Sequence, residues 1–346
     1  MKKILVALSG GLDSAATALI LYERGYRVTA VTFDLTGDAQ SIEATRLLAE
    51  RLKIPLLIED LRDAFRREVQ DYFIDGYMRG ETPAPCSVCN PRIKWETLRR
   101  VADREGIPLI ATGHYVRMTK HNGSYYVTEG VDPVKDQSYY LWDLEQGILK
   151  RAVTPLGDFT KAQVRELMTF WGYADLAAKK ESMGVCFLDK TGYAGFLRRR
   201  VPGIGMLEEG EVVDPEGNWI GSHSGYPFYT VGQKRGFVLH DPQRERYVLE
   251  IDAGHNRLVA GSIDGLYTDT LSVGNIRITD PEGFFHTDRL RVKIRGLGIN
   301  PDGVVRASRS GENIQVFIPG KAYAPAKGQP VVFYIDGRVV GGGYLL

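Results

Sequence analysis

Lys2-Lys3-Ile4-Leu5-Val6-Ala7-Leu8-Ser9-Gly10-Gly11-Leu12-Asp13-Ser14 is the stretch that decides how this chain folds. The apolar, β-branched run of residues 2–8 reads as a strand. Residues 13–23 place apolar side chains at helical spacing and stop before Gly25, a helix terminator. The loop between them holds two glycines and two serines. The glycines allow a tight turn that brings backbone N–H groups toward a ligand; the hydroxyls and the helix N-terminus add donors and positive dipole. The result is an anion cradle suited to phosphate. It lacks the Gly-Lys-Ser/Thr of a Walker A loop and the Gly-x-Gly-x-x-Gly of a dinucleotide fold. The alternative is a plain strand-to-helix turn capped by Ser9 or Asp13, which does not call for two glycines and two serines together.

Outward from this loop the alternation continues. Residues 26–33 and 54–58 have strand patterns, residues 41–52 and 62–73 helical ones; a helix at 95–105, a strand at 108–112 and a helix at 161–171 follow. Strands separated by helices predict an α/β domain with a parallel sheet covered on both faces, whose ligands bind at the carboxyl ends of the strands. After about residue 200 the texture changes. Pro202, Gly203 and Gly205 break the chain, and glycine-punctuated strands follow at 247–251, 258–262, 290–294, 313–318 and 330–335. Short strands at this spacing predict small barrels or sandwiches. The expected division is 1–196, 197–263 and 264–346.

Composition narrows the function. Of 346 residues, 43% are hydrophobic and 25% charged, which excludes wholesale disorder. Lys plus Arg is 44 against 43 Asp plus Glu. A net charge of +1 excludes a strongly basic nucleic-acid coat protein but leaves room for a local basic face. No apolar run approaches the roughly 18 residues of a membrane span, and no signal-peptide pattern opens the chain. Three cysteines in a chain of this size form no disulfide framework and suggest a reducing compartment. The expectation is a soluble, cytoplasmic protein with no membrane partner.

Two of the cysteines stand in Thr82-Pro83-Ala84-Pro85-Cys86-Ser87-Val88-Cys89-Asn90, ahead of Ile93-Lys94-Trp95; the third stands in Ser182-Met183-Gly184-Val185-Cys186-Phe187. A C-x-x-C pair admits a redox couple, which the proline-rich approach and the following Asn-Pro fit poorly. A zinc site would need a fourth ligand from elsewhere. An iron–sulfur cluster on three thiolates, catalytic thiols, and cysteines buried as small hydrophobes also remain open.

Taken together these segments resemble a known family. Ser9-Gly10-Gly11-Leu12-Asp13-Ser14 is similar to the loop of the PP-loop ATP pyrophosphatases. Cys89-Asn90, Ile93-Lys94-Trp95 and Gly184-Val185-Cys186-Phe187 resemble motifs of the tRNA-specific 2-thiouridylases within that superfamily. Ala111-Thr112-Gly113-His114-Tyr115, Lys135-Asp136-Gln137-Ser138-Tyr139, Pro155-Leu156-Gly157 and Thr230-Val231-Gly232-Gln233-Lys234-Arg235-Gly236 match in the same order. The resemblance covers residues 1–265 strongly and the rest weakly. It implies a PP-loop (adenine nucleotide α-hydrolase-like) domain, a small central β-rich domain and a C-terminal β-barrel.

The resemblance also implies roles. Ala7, Leu8, Ser9, Gly10, Gly11, Leu12, Asp13, Ser14, Phe33 and Gly113 would bind ATP, with Phe33 near adenine, and Asp13 would be a direct or water-mediated partner of Mg²⁺. ATP would adenylate the C2 oxygen of the wobble uridine. Cys186 would carry a persulfide, and Cys89 would attack it, releasing sulfur or closing a Cys89–Cys186 disulfide. Ala84, Pro85 and Cys86 would meet the target base; Lys135, Asp136 and Gln137 would meet phosphate and a uracil edge. Arg295 and Gly296 fall where the family has an Ile-Arg-Tyr contact with tRNA, but here the tyrosine is missing. The basic run Arg198-Arg199-Arg200 is either a phosphate contact or a solvated face. Other departures are the short loop 34–40 after Phe33, Ala84 in place of asparagine, and cysteine rather than aspartate at 86. The cysteine form belongs to the subgroup for which a 4Fe–4S cluster on Cys86, Cys89 and Cys186 has been proposed. Partners implied are tRNA and a sulfur donor, a cysteine desulfurase or sulfur-relay protein. Other readings are a different PP-loop enzyme, lysidine-forming or cytidine-thiolating, and a non-catalytic RNA-binding or sulfur-carrier protein.

Overall fold

The computed structural model describes residues 1–179, 184–204, 207 and 209–346. Ser182 and Met183, quoted above with the third cysteine, and Gly205 at the expected break lie outside the described residues.

Strands β1 (Lys3–Ala7), β2 (Arg27–Asp34), β3 (Leu56–Asp60) and β4 (Leu109–Ala111) alternate with helices, beginning with α1 (Leu12–Glu23) and α2 (Ala39–Arg51). A hairpin, β5 (Val116–His121) and β6 (Ser124–Glu129), and a short β7 (Ala152–Val153) follow. The sheet runs β3-β2-β1-β4-β7 with every pair parallel. Successive residues Ile4, Leu5 and Val6 are all 0% exposed, so both faces of β1 are covered, as a parallel sheet requires. Ile4, Val6 and Leu8 share one core with Ala15 and Ala16 of α1, Leu48 and Ala49 of α2, and Val164 and Met168 of the helix Lys161–Phe170. Helix α1 ends where the sequence says it must: Gly25 takes φ 81°, and the N–H of Tyr26 reaches back to the carbonyl of Leu21.

Two features depart from the periodicity. The expected helix 62–73 is a short α-turn (Arg62–Phe65), a π-helical stretch (Arg66–Asp71) and a further α-helix (Tyr72–Met78). A second π-helical stretch (Asn90–Trp95) lies between the helices Pro85–Cys89 and Glu96–Arg104. Hydrogen bonds from i to i+5 widen the turn beyond 3.6 residues and shift side chains off that period, so a helical hydrophobic pattern does not reveal such a stretch; these stretches concentrate at functional sites. The β5–β6 hairpin was not foreseen either, although Asn122-Gly123, both with positive φ, is the strongest two-residue hairpin signal.

The described residues form two compact units. The first draws on residues 1–69, 86–179 and 335–340; the second draws on residues 70–85, 184–204, 207, 209–334 and 341–346. The second contains a five-stranded sheet in the order Val238–Leu239, Trp219–His223, Gly210–Val213, Arg257–Gly261, Tyr247–Asp252. It also contains an antiparallel sheet in which Tyr267–Ile278 pairs with Asn313–Tyr323 on one side and with residues 341–345 on the other. Among the described residues no helix is long and apolar enough to cross a membrane.

Candidate active site

In an open parallel sheet the ligand crevice opens where the strand order reverses, beyond the carboxyl ends of the strands. Here that point lies between β1 and β4, since β2 and β3 lie on one side of β1 and β4 and β7 on the other. The loop after β1 is Leu8 to Gly11, and the loop after β4 carries Gly113.

Gly11 is the N-cap of α1, in an extended conformation with no side-chain cap hydrogen bond. The expected alternative of a cap from Ser9 or Asp13 is therefore not what forms. Ser14 Oγ instead folds back over the loop: it receives the N–H of Ser9 at 3.1 Å, donates to the carbonyl of Gly11 at 3.0 Å and lies 3.2 Å from Ser9 Oγ. The first N–H groups of a helix have no intrahelical acceptor. With no side chain capping them, α1 presents donors and positive dipole to an incoming anion. Gly10 is required twice over. It has φ 74°, and a Cβ there would stand 2.8 Å from Thr45 Oγ1 of α2. Ala7 and Leu8 lead into the loop, the Leu8 N–H held by the carbonyl of Val31 at 2.8 Å, and half-buried Phe33 sits near the carboxyl end of the neighbouring β2.

A Cβ on Gly113 would stand 2.9 Å from the backbone carbon of Asp13 and 3.1 Å from the Ser14 nitrogen. The β4 loop thus packs directly on the first turn of α1, which is a reason for glycine independent of any ligand. The next residue, His114, receives or donates a hydrogen bond to Thr112 Oγ1 at 2.8 Å and stacks on Trp95, ring centroids 6.1 Å apart. Desolvation first, then the charge of Lys94, lowers its pKa to about 3, so the imidazole is neutral at physiological pH. His114 therefore joins the phosphate cradle to the segment that follows Cys89.

Asp13 is the main surprise. Lys161 Nζ lies 2.8 Å from both of its carboxylate oxygens, and the Tyr115 hydroxyl donates to Oδ1 at 2.8 Å. The lysine side chain is only 10% exposed. Its backbone N–H donates to Asp132 Oδ2 at 2.9 Å, while Tyr115 N–H donates to Gln137 Oε1 at 3.0 Å. Asp136 accepts from Gly130 N–H and from Ser138 Oγ. Two members of the Lys135-Asp136-Gln137 triplet thus hold the loop and, through Tyr115, the cradle. Of the direct or water-mediated Mg²⁺ contact expected of Asp13, the direct form would have to share a carboxylate that Lys161 already holds at both oxygens and Tyr115 at one.

The helix Pro85–Cys89 carries the C-x-x-C pair, Cys86 half-buried and Cys89 buried. Asn90 Nδ2 donates to the carbonyl of Cys86 at 3.0 Å. Ser87 Oγ, Asn90 Oδ1 and Trp95 Nε1 are buried without a hydrogen-bond partner, a concentration of unsatisfied polar atoms that structural regions rarely keep. Burial and then the Cys86 thiol raise the pKa of Tyr140. Ala84 is half-buried and Pro85 buried, both grouped with the second unit. In that unit Cys186 is exposed on a turn whose next residue, Phe187, packs edge-on against Phe73 at 5.3 Å. Among the described residues no three His, Cys, Asp or Glu side chains gather to hold a metal.

Two expected RNA contacts are engaged internally. Arg295 donates to the carbonyls of Tyr323 and Ala324 at 2.8 and 2.7 Å, beside Gly296. Arg198 lies 4.0 Å over the Phe228 ring, Arg199 pairs with Asp189 at 2.8 Å, and Arg200 donates to Gln70 at 2.8 Å. Lys161 was not singled out from the sequence, although one signal was there. A lysine at the first position of a helix opposes the helix dipole, and its burial needs a carboxylate partner.

A family model described as "tRNA methyl transferase HUP domain" matches residues 2–190; "tRNA methyl transferase PRC-barrel domain" matches 195–262, and "Aminomethyltransferase beta-barrel domain" matches 268–345. A tRNA-specific 2-thiouridylase MnmA 2 of Phocaeicola vulgatus is 41% identical, with 99% of this chain and 98% of that protein covered. A tRNA-specific 2-thiouridylase MnmA of Amoebophilus asiaticus is 38% identical, with 100% and 96% covered. A tRNA-specific 2-thiouridylase MnmA 1 of Bacteroides fragilis is 37% identical, with 99% and 97% covered. The matches span nearly the whole of this chain and of those proteins, and the chain belongs to the tRNA-specific 2-thiouridylase family.

Proposed function

We propose that the chain is an ATP-dependent tRNA 2-thiouridylase acting on the wobble uridine (position 34), organised as domains 1–196, 197–263 and 264–346. The observation that carries the reading is the uncapped N-terminus of α1 at the point where the strand order reverses, a built receptacle for the phosphates of ATP. Mg²⁺ enters with ATP as part of the substrate. The uridine C2 oxygen attacks the α-phosphorus and pyrophosphate leaves. The terminal sulfur of a Cys186 persulfide then attacks C2. The Cys89 thiolate attacks the inner sulfur of that persulfide, the S–S bond breaks toward the base, AMP leaves, and a Cys89–Cys186 disulfide remains. If Cys89 attacks first, hydrosulfide is released and attacks C2 itself, with the same disulfide as product. Either route returns to the start by a two-electron reduction. The sulfur comes from a cysteine desulfurase or sulfur-relay protein in the reducing cytoplasm. Ala84, Pro85 and Cys86 flank the target base, and Lys135 faces RNA.

The test is nucleoside mass spectrometry of tRNA incubated with the protein, ATP, and a cysteine desulfurase with cysteine as the source of sulfane sulfur, with the nucleotides separated in parallel. A 2-thiouridine peak that requires ATP, with AMP and pyrophosphate formed alongside, is expected. ADP and phosphate as stoichiometric products would refute the PP-loop chemistry.

A further inference from the structure

We propose that Lys161 is a positioning residue for ATP that acts through Asp13: it cancels the carboxylate that the loop places inside an anion cradle. The inference rests on the ATP reading of that cradle. Asp13 occupies the first turn of α1, beside the backbone donors that receive phosphate. A bare carboxylate there would repel a polyanion at short range, and like charges brought together in a partly desolvated site oppose binding strongly. The structure counters this with one buried cation. Lys161 Nζ reaches both oxygens of Asp13 at 2.8 Å.

The lysine is held at this post from its backbone outward. Thr160 caps the helix Lys161–Phe170 in a capping box with Gln163, and Asp132 takes the Lys161 N–H at 2.9 Å. Tyr115 holds Asp13 from another side through a hydroxyl hydrogen bond of 2.8 Å and is itself tied to Gln137. The carboxylate is thus fixed against the ammonium. The first position of a helix is a poor place for a cation, so the local structure alone gives no reason for lysine there. The pair leaves the cradle with no net side-chain charge, and the dipole of α1 then decides its sign.

The experiment measures ATP dissociation constants by calorimetry, with Mg²⁺ and without tRNA, for the full-length wild type, Lys161→Met, Asp13→Asn and the double variant. Lys161→Met should weaken ATP binding on the order of tenfold or more. The double variant, which removes both charges, should regain affinity near wild type. Asp13→Asn alone should bind ATP at least as tightly as wild type. Because Lys161→Met strands a buried carboxylate and can fail to fold, the double variant and Asp13→Asn carry the test by themselves in that event. A double variant as weak as Lys161→Met, or weaker than wild type by tenfold in a folded protein, would place Lys161 on the phosphates and overturn neutralisation. Unchanged affinity in Lys161→Met would overturn it too. A wild type that binds no ATP would instead refute the function proposed above.

Discussion

Three thiols sit in three settings: Cys89 buried, Cys86 half-buried one helical turn before it, and Cys186 exposed on a turn anchored by Phe187. An exposed thiol is where a sulfur donor can load a persulfide, and a buried one is where a nucleophile can be kept from stray oxidants. Cys86 has no duty in that scheme. Cys89→Ser and Cys186→Ser are therefore expected to abolish tRNA thiolation, while Cys86→Ser keeps appreciable activity in air and under nitrogen alike. Thiolation assays with anaerobically purified protein decide the matter, and loss of activity in all three, together with bound iron and acid-labile sulfide in wild type, would favour the cluster. The cysteines were readable because thiols are rare in this chain and carry flanking motifs. Lys161 and Tyr115 were not, because their importance lies in contacts with Asp13 across 148 and 102 residues of sequence, and no local pattern encodes such a distance.

The elements around the cradle are set by close approach. β1, the loop and α1 were readable from a strand run, two glycines and a helical period, because each signal is local. The π-helical stretches were not, because their period matches neither template, whereas the β5–β6 hairpin does carry a local signal in its Asn122-Gly123 turn. Gly113 is not among the glycines with positive φ, so its backbone does not call for glycine; its Cβ would meet the backbone of Asp13 and Ser14, which cannot rotate away. Gly113→Ala should push the β4 loop off α1, cost about 1–3 kcal/mol of stability in chemical denaturation as overpacking does, and weaken ATP binding. The adjoining His114 links this loop to Trp95. Its folded pKa of about 3 lies below the roughly 6.5 of an unfolded histidine. As pH falls through 6.5 the unfolded chain takes up a proton that the folded one refuses until about 3, so the folded state loses stability across that window. Residual solvent contact at the half-buried residue limits the size of the effect. Urea midpoints at pH 7.5 and 5 should differ less for His114→Gln than for wild type; an equal difference would remove His114 from the acid response.

At the scale of the whole molecule, a net charge of +1 gives a polyanion such as tRNA no general attraction, so affinity has to come from local cations that release counterions. The run Arg198-Arg199-Arg200 looked like such a site, and it closes the helix Gly192–Arg200, where positive charge also suits the helix dipole. Yet each arginine already has a partner: Arg198 the face of Phe228, Arg199 Asp189, Arg200 Gln70. An arginine spent on an internal contact gives less to phosphate, because moving it to RNA forfeits the contact it leaves. Changing all three to glutamine should therefore weaken tRNA binding and flatten its salt dependence, but by fewer than the three counterions that three independent phosphate contacts would release, at roughly one per contact. It should also lower the thermal midpoint, since the Phe228 and Asp189 contacts are lost together. Filter binding across a salt series with unmodified tRNA measures the slope directly. A slope reduced by three or more would mean that all three arginines leave their present partners on binding, and an unchanged slope would mean that none does.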